Sequence, residues 1–94
     1  MTTPLPELVL YTRAGCQLCD ETRALVQSLL EDRAARGGRI AAIRERDIAS
    51  NPEWERAFFD RIPVVEIGGR RLELAISAGA LRRFLAEGLD GSLV

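Results

Sequence analysis

The sequence predicts a three-layer α/β/α domain around a mixed four-stranded sheet, with the element order β-α-β-α-β-β-α. Two observations carry this prediction. Strand-like and helix-like patterns alternate along the first part of the chain, which is typical of α/β proteins. A pair of glycines then separates two short strand-like runs, which indicates a β-hairpin near the end of the chain. A chain of 94 residues suits one domain, expected at 1–94 with its core at about 7–87.

The individual elements follow from hydrophobic periodicity, since short apolar runs predict strands and apolar residues at three- and four-residue spacing predict helices. The expected strands are 8–11, 39–48, 62–67 and 70–75, and the expected helices are 17–36, 52–60 and 78–87. The apolar stripe expected on the first helix consists of Leu18, Thr22, Leu25, Val26, Leu29 and Leu30. The core side chains expected on the later helices are Trp54, Phe58, Phe59, Leu81, Phe84 and Leu85. We expect the first two strands to be parallel and residues 89–94 to form a loose tail.

Residues with special backbone preferences mark the element boundaries. Gly37-Gly38 is expected to end the first helix, and Asn51-Pro52 to start the second. Gly68-Gly69 is expected to form the hairpin turn. Ser77 is expected to cap the last helix and Gly88 to end it.

Composition and charge narrow the class of protein. The net charge is −1, and all 13 basic residues are arginine. This near-neutral balance offers no electrostatic basis for binding nucleic acid or an anionic membrane surface. The sequence has neither an apolar run that could span a bilayer nor a signal-peptide pattern at its start. We therefore expect a cytoplasmic monomer without a nucleic-acid or membrane partner.

Two cysteines three positions apart, Cys16 and Cys19, lie where a loop meets the predicted first helix. The first helical turn has unpaired N–H groups and the positive end of the helix dipole, which stabilise a thiolate. Cys19 lies one turn further along and is expected to be the more buried thiol. Arg13 is expected to stabilise the thiolate or hold an acidic group of a substrate, whereas Asp20 and Glu21 oppose the thiolate. We expect a modest lowering of the pKa of Cys16.

In a cytoplasmic protein such a cysteine pair indicates redox chemistry or metal binding. Zinc takes four ligands, but this chain has two cysteines and no histidine. A complete zinc or iron–sulfur site would therefore need a second copy of the chain or an external thiol. A pair of inert core cysteines is a further alternative. The missing histidine also excludes a Ser-His-Asp or Cys-His mechanism within this chain. The helix-start position favours redox chemistry over these alternatives.

Pro63 begins an otherwise central strand, although a proline donates no hydrogen bond to a β-ladder. One interpretation is an ordinary proline at the start of a strand. The other is a cis peptide bond between Ile62 and Pro63, packed against the cysteine loop. Neighbouring backbone groups would then be free to pair with an extended substrate. Ile62 and Pro63 are therefore candidate substrate-binding residues.

Three segments of the chain resemble glutaredoxin-like proteins of the thioredoxin superfamily. Residues 9–19 resemble the active-site segment of these proteins. Residues 47–53 resemble their second strand and next helix start, and residues 61–69 resemble their cis-proline strand and hairpin. The similarity extends over roughly residues 7–87 and is greatest to the small bacterial glutaredoxin-like group known as DUF836. It implies a thioredoxin-like fold.

The resemblance implies that Cys16 is the nucleophile, that Cys19 resolves the mixed disulfide, and that Pro63 is a cis-proline beside the site. It implies no bound cofactor, with glutathione as a candidate co-substrate. Arg13 stands where glutaredoxins usually have a lysine near the glutathione carboxylate. After the last strand, the Gly-Gly and Asp with which glutaredoxins bind glutathione are missing. Ser77 lies in that stretch and could offer a hydroxyl or a helix-start N–H to a carboxylate.

These observations predict a thiol–disulfide oxidoreductase. Cys16 attacks a disulfide of a protein or small molecule, and Cys19 releases the product, which leaves a Cys16–Cys19 disulfide. The oxidised pair then needs an external reductant, either glutathione or a thioredoxin-type dithiol protein. One alternative is a binding or adaptor module with little redox activity, because a fold does not determine its function. The other is a dimer that holds a metal or an iron–sulfur cluster between paired Cys16 residues.

Overall fold

The computed structural model describes residues 4–91, and its elements follow the predicted order. The strands are β1 (Glu7–Thr12), β2 (Ala42–Asp47), β3 (Val64–Ile67) and β4 (Arg70–Leu72). The helices are α1 (Gln17–Ala35), α2 (Pro52–Phe58) and α3 (Ala78–Leu89), and a 3₁₀ turn at Ile48–Ser50 precedes α2. Among residues 4–91, no helix is long and apolar enough to cross a membrane.

The strands form one sheet in the order β2-β1-β3-β4. β1 pairs in parallel with β2, as expected, with Leu8 opposite Ile43. β1 pairs antiparallel with β3, with Tyr11 opposite Val64, and β3 pairs antiparallel with β4. The predicted mixed four-stranded sheet is thus confirmed. In this register the carboxyl end of β1 lies beside the amino end of β3.

Helices cover both faces of the sheet because the central strands are apolar on both sides. Leu8 and Leu10 of β1 face a larger core, and Val9 and Tyr11 face a smaller one. From α1 and α3, the larger core includes Val26, Leu29, Leu30, Leu81, Phe84, Leu85 and Leu89. The smaller core includes Ile48, Phe58 and Val64, with Trp54 and Ile62 packed against it. The three-layer α/β/α architecture is therefore confirmed.

The second strand is shorter than predicted. It spans Ala42–Asp47 rather than residues 39–48. The Asp47 side chain accepts a 2.9 Å hydrogen bond from the N–H of Ala49, which stabilises the 3₁₀ turn and removes Ile48 from the sheet. Ile48 is fully buried in the smaller core, so its apolar side chain indicated burial rather than a strand.

The hairpin strands are also shorter than predicted. β3 begins at Val64 rather than at residue 62, because Pro63 has no N–H for the ladder. β4 ends at Leu72 rather than at residue 75, because Leu74 has a φ of +50°, outside the strand region. The loop after β4 is therefore longer than expected.

The last helix is longer than predicted. It continues through Gly88 to Leu89, and Gly91, at a φ of +73°, follows its C-cap. A Cβ on Gly88 would lie 3.1 Å from Cδ1 of Ile67, so glycine at this position permits the close approach of α3 to β3. Leu89, expected in a loose tail, is buried in the larger core. Residues 92–94 of that tail lie outside the described residues.

Apart from Gly88, the predicted helix caps are confirmed. Gly37 adopts a φ of +75° just after α1. The side chain of Asn51 accepts the N–H of Glu53 at 2.9 Å, and Ser77 Oγ accepts the N–H of Ala80 at 3.2 Å. These bonds satisfy N–H groups that have no partner within their own helix.

Two residues predicted to lie in the core are exposed instead. Leu18 keeps 47% of its accessible surface and Phe59 keeps 61%. Successive helix residues are rotated by about 100°, so the inward face of α1 centres near Cys19 and Val26 and Leu18 lies at its edge. Phe59 follows the last residue of α2 and does not share the inward position of Phe58.

Candidate active site

A tight turn carries the chain from β1 into α1 and places Cys16 at the start of the helix. Gly15 has a φ of +78°, a conformation that glycine adopts without steric cost. The N–H of Cys16 donates to the carbonyl of Arg13 at 3.2 Å, which closes the turn. The N–H of Asp20 donates to the carbonyl of Cys16 at 3.1 Å, which begins the helix. Cys16 is therefore the N-cap residue of α1.

The sulfur of Cys16 takes the place of a capping oxygen. Its Sγ accepts the N–H of Cys19 at 3.1 Å. The two cysteines form a disulfide in this structure, and their Cα atoms are 5.2 Å apart. In the reduced pair the same N–H would face a thiolate on Cys16, and the helix dipole would add to its stabilisation.

The two cysteines differ in exposure. Cys16 is half-buried, whereas Cys19 is 0% exposed. This difference confirms the expectation that Cys19 is the more buried thiol. Only Cys16 can meet a group that approaches from solvent.

The Ile62–Pro63 peptide bond is cis, as one of the two interpretations of the sequence expected. Pro63 is fully buried, and its carbonyl accepts the N–H of Ala75 at 2.8 Å. Tyr11 lies opposite Val64 in the β1–β3 ladder, so the residues before Val64 lie beside the end of β1. The cis-proline segment, residues 61–63, is therefore at the end of the sheet from which the cysteine loop departs.

A buried hydrogen bond ties α1 to this segment through the loop that follows β4. Thr22 Oγ1 donates to the carbonyl of Ala75 at 2.7 Å, and the N–H of Ala75 donates to Pro63. Thr22 lies three residues after Cys19, so the bond fixes the cysteine turn relative to the cis-proline. Helical spacing predicts Thr22 as part of an apolar stripe and does not predict this hydrogen bond. The available signal was a hydroxyl residue among aliphatic neighbours.

The side chain of Arg13 is directed to α2. Its guanidinium forms an ion pair with the carboxylate of Glu55, and the two side chains are 41% and 46% exposed. The backbone of Arg13 contacts Cys16, but its side-chain charge is balanced by Glu55. No sequence pattern predicts the role of Glu55, because 42 residues separate it from Arg13.

The negative charge beside the cysteines is partly balanced by arginine. Arg23 donates to both carboxylate oxygens of Glu45 on β2, at 2.7 and 2.8 Å, and to Asp20 at 3.0 Å. The hydrogen bonds to Glu45 and then to Asp20 raise the pKa of Arg23 above its ordinary value. Arg23 therefore offsets part of the thiolate destabilisation expected from Asp20. Glu21 accepts a 3.1 Å hydrogen bond from Gln17.

The other two candidate substrate-binding residues lie near the same end of the sheet. Ile62 is half-buried against the smaller core, and within residues 4–91 no hydrogen bond reaches its backbone N–H or C=O. Ser77 is exposed two residues after Ala75, and its hydroxyl accepts the capping N–H of Ala80. The roles of Ile62 and Ser77 toward a substrate stay predictions.

The described part of the chain does not assemble a metal site. Within residues 4–91, no group of three or more His, Cys, Asp or Glu side chains is placed to hold a metal ion. The cysteine pair alone supplies two of the four ligands that structural zinc takes.

The fold and the cysteine pair define this protein as a thioredoxin-like α/β domain with a CxxC disulfide at the start of its first helix. Residues 7–86 match the family model described as Glutaredoxin-like domain (DUF836). The chain therefore belongs to this glutaredoxin-like family, as the resemblance implied.

Solved structures show the same architecture. The X-ray structure of protein XcR50 from X. campestris is 30% identical, with a TM-score of 0.66, over 83% of this chain and 93% of that chain. The solution structure of protein Ne2328 from Nitrosomonas europaea is 27% identical, with a TM-score of 0.59, over 80% of this chain and 81% of that one. Glutaredoxin from Brucella melitensis is 22% identical, with a TM-score of 0.59, over 100% of both chains, and supports the fold alone. A search of curated proteins finds no match.

Proposed function

We propose that this protein is a thiol–disulfide oxidoreductase in which Cys16 attacks a disulfide and Cys19 resolves the resulting mixed disulfide. The observation that carries the proposal is the difference in exposure between two cysteines on one helical turn. Cys16 is half-buried at the helix start, and Cys19 is 0% exposed. A substrate sulfur can therefore approach Cys16, while Cys19 stays within reach of Cys16 for the second step.

The proposed reaction needs no group beyond the cysteine pair and the substrate. The Cys16 thiolate forms a bond to one substrate sulfur, and the other substrate sulfur leaves as a thiolate and takes up a proton. Cys19 then loses its proton, attacks the Cys16 sulfur and expels the second substrate thiolate. The substrate disulfide gains two electrons, and the cysteine pair becomes the disulfide found in this structure.

The proposed substrates are disulfides of proteins or small molecules, and no cofactor bound to the chain is required. The Cys16–Cys19 disulfide would be reduced by glutathione or a thioredoxin-type dithiol protein, which fits the cytoplasmic location proposed from the sequence. An extended substrate would pair with the free backbone groups of Ile62 beside Pro63. Membership of the glutaredoxin-like family supports this chemistry.

Single-cysteine variants test the proposal. Each reduced variant is mixed with an excess of an aromatic disulfide such as DTNB, and its adducts are followed by mass spectrometry. In Cys19→Ser, attack by Cys16 leaves an adduct of one substrate thiol per chain that cannot be resolved. Cys16→Ser is expected to react far more slowly, because only the buried Cys19 remains.

The wild-type protein provides the second half of this experiment. After reduction it should turn over the same disulfide and accumulate no adduct. Its cysteine pair should also titrate reversibly against glutathione redox buffers. Equal reactivity of the two variants, or a wild-type pair that does not cycle, would contradict the proposal and leave only a scaffold role.

A further inference from the structure

Three exposed apolar side chains lie at the end of the sheet that holds the cysteine pair. Leu18 lies between the two cysteines and is 47% exposed, and Leu74 and Ile76, in the loop after β4, are 55% and 53% exposed. We propose that these three side chains, called here the apolar rim, dock an extended apolar segment of a protein disulfide. A protein segment rather than glutathione is then the preferred substrate. This inference rests on the proposed oxidoreductase function.

Leu18 lies on the side of α1 that faces the loop after β4. Leu18 and Thr22 are four residues apart, so they share one face of the helix. Thr22 donates its 2.7 Å hydrogen bond to Ala75 in that loop. On the other flank of α1, Arg23 reaches Glu45 of β2. Leu18 is therefore on the same side of the cysteine pair as the other two rim residues.

The loop itself alternates between buried and exposed residues. Ala75 is buried, and its N–H donates to Pro63. The N–H of Leu74 donates to the carbonyl of Arg61 at 2.9 Å, so the loop runs along the cis-proline segment. Leu74 and Ile76 flank Ala75 and are exposed on either side of it. The rim residues therefore extend from a backbone that is tied to α1 and to the cis-proline segment.

The backbone of Leu74 adds an independent observation. Its φ of +50° lies in the left-handed region, which is unfavourable for residues other than glycine, asparagine and aspartate. The strained residue is held by the N–H bond to Arg61, yet its large apolar side chain is not buried. Such strain tends to persist at sites with a function, because folding alone does not reward it. An exposed leucine in this conformation fits a contact with a ligand.

The charges near the cysteines favour an uncharged segment over glutathione, which carries two carboxylates. The arginines that border the site are already paired with carboxylates. The pairs are Arg13 with Glu55, Arg23 with Glu45 and Asp20, and Arg61 with Glu73 and Asp60. To bind one of these arginines, a carboxylate of glutathione would have to displace the carboxylate already paired with it. An apolar segment would leave the ion pairs intact and would remove the apolar rim from water.

The test is a single-turnover reaction of the reduced protein with matched peptide disulfides, with no other reductant present. One substrate is the disulfide dimer of Gly-Leu-Cys-Leu-Gly, and the second is the dimer of Gly-Ser-Cys-Ser-Gly. Oxidised glutathione is the third. We expect the leucine-flanked disulfide to react about tenfold faster than either of the others. A factor of ten corresponds to about 1.4 kcal/mol, less than the full burial of one leucine side chain provides.

Two substitutions remove the rim without removing the cysteines. Leu18→Ser deletes an exposed side chain, and Leu74→Asn keeps a residue that tolerates the left-handed backbone. We expect each single substitution to slow the reaction with the leucine-flanked disulfide by about threefold. The double variant should reduce the leucine-flanked and serine-flanked disulfides at equal rates. Leu5→Ser is the matched control, because Leu5 is 52% exposed and precedes β1, at the opposite end of the sheet. This control should keep the full preference.

The outcomes separate the two proposals. Equal rates for the two peptides, a faster reaction with oxidised glutathione, or an equal loss in Leu5→Ser and Leu18→Ser would overturn the apolar rim while the oxidoreductase function stands. If the reduced protein reduces none of the three disulfides, both proposals fail together.

Discussion

The hydroxyl of Thr22 donates a 2.7 Å hydrogen bond to the carbonyl oxygen of Ala75, 53 residues away in sequence. Both residues are 1% exposed, so neither group can exchange this bond for one to water. A buried carbonyl without a partner is unfavourable, which gives the bond a strong influence on local structure. It links the helix of the cysteine pair to the loop that contacts Pro63.

Replacing Thr22 with valine should weaken this link while keeping the shape of the side chain. We expect Thr22→Val to lower the free energy of unfolding by about 2 kcal/mol, because it leaves the Ala75 carbonyl unpaired in the core. Thr22→Ser keeps the hydroxyl and should lose only the burial of one methyl group, about 1 kcal/mol. Urea unfolding followed by circular dichroism measures both values. A smaller loss for valine than for serine would show that the bond contributes little.

The ion pair between Arg13 and Glu55 should influence the thiol of Cys16. Glu55→Gln removes a negative charge and frees the guanidinium of Arg13, and both changes favour a thiolate. We therefore expect the pKa of Cys16 to fall by a fraction of a unit, measured as the pH dependence of alkylation by iodoacetamide in a Cys19→Ser background. In a double variant with Arg13→Gln most of this decrease should disappear. An unchanged midpoint in Glu55→Gln would show that Arg13 is too far from the sulfur to matter.

Arg23 should act on Cys16 in the opposite direction. Arg23→Gln leaves the carboxylates of Asp20 and Glu45 without their cation, and uncompensated negative charge disfavours a thiolate. The alkylation midpoint of Cys16 is expected to rise by a fraction of a unit and to rise less at high salt. Arg36→Gln breaks an ion pair with Asp32 at the far end of α1 and serves as the control. A similar rise in both variants would mean that the effect is not local.

Gly88 and Gly79, both in α3, should respond differently to alanine. A Cβ at Gly88 would lie 3.1 to 3.4 Å from three atoms of Ile67, including its Cβ, which cannot move without the strand. We expect Gly88→Ala to destabilise the protein by about 1 kcal/mol or more, because this overpacking exceeds the gain in helix propensity. A Cβ at Gly79 would meet nothing closer than 3.6 Å, so Gly79→Ala should be neutral or slightly stabilising. The thermal unfolding midpoints of the two variants and of the wild type test this difference. A Gly88→Ala variant as stable as the wild type would show that α3 can shift away from Ile67.

Local patterns predicted most of the fold. Apolar periodicity identified three helices and four strands, and the caps at Asn51 and Ser77 were identified from residue type alone. Most errors lay at element boundaries, where a local turn, a proline, an unusual backbone angle or a distant contact decides the conformation. Gly88 was expected to end a helix because glycine often does so. It lies inside α3 instead, where Ile67 leaves little room for a side chain.

Local patterns also predicted part of the candidate site. The position of Cys16 at a helix start and the greater burial of Cys19 follow from residues close in sequence. The hydrogen-bond and ion-pair partners of the side chains near the cysteines do not follow from local sequence. Glu55 and Ala75 influence the site from elements that are remote in sequence, and neither carries a pattern that marks its role.

By itself, the sequence determined the order of elements and the location of the cysteine pair at a helix start, because periodicity, capping and the helix dipole act over a few residues. Only the tertiary structure decided that the charge of Arg13 is paired with Glu55, that Thr22 bonds to the loop after β4, and that Leu18 remains exposed. These features depend on which elements pack together, and packing joins residues that no local pattern connects. The position of the cysteine pair at a helix start is thus predicted locally, while the surroundings of the pair are assembled by the fold.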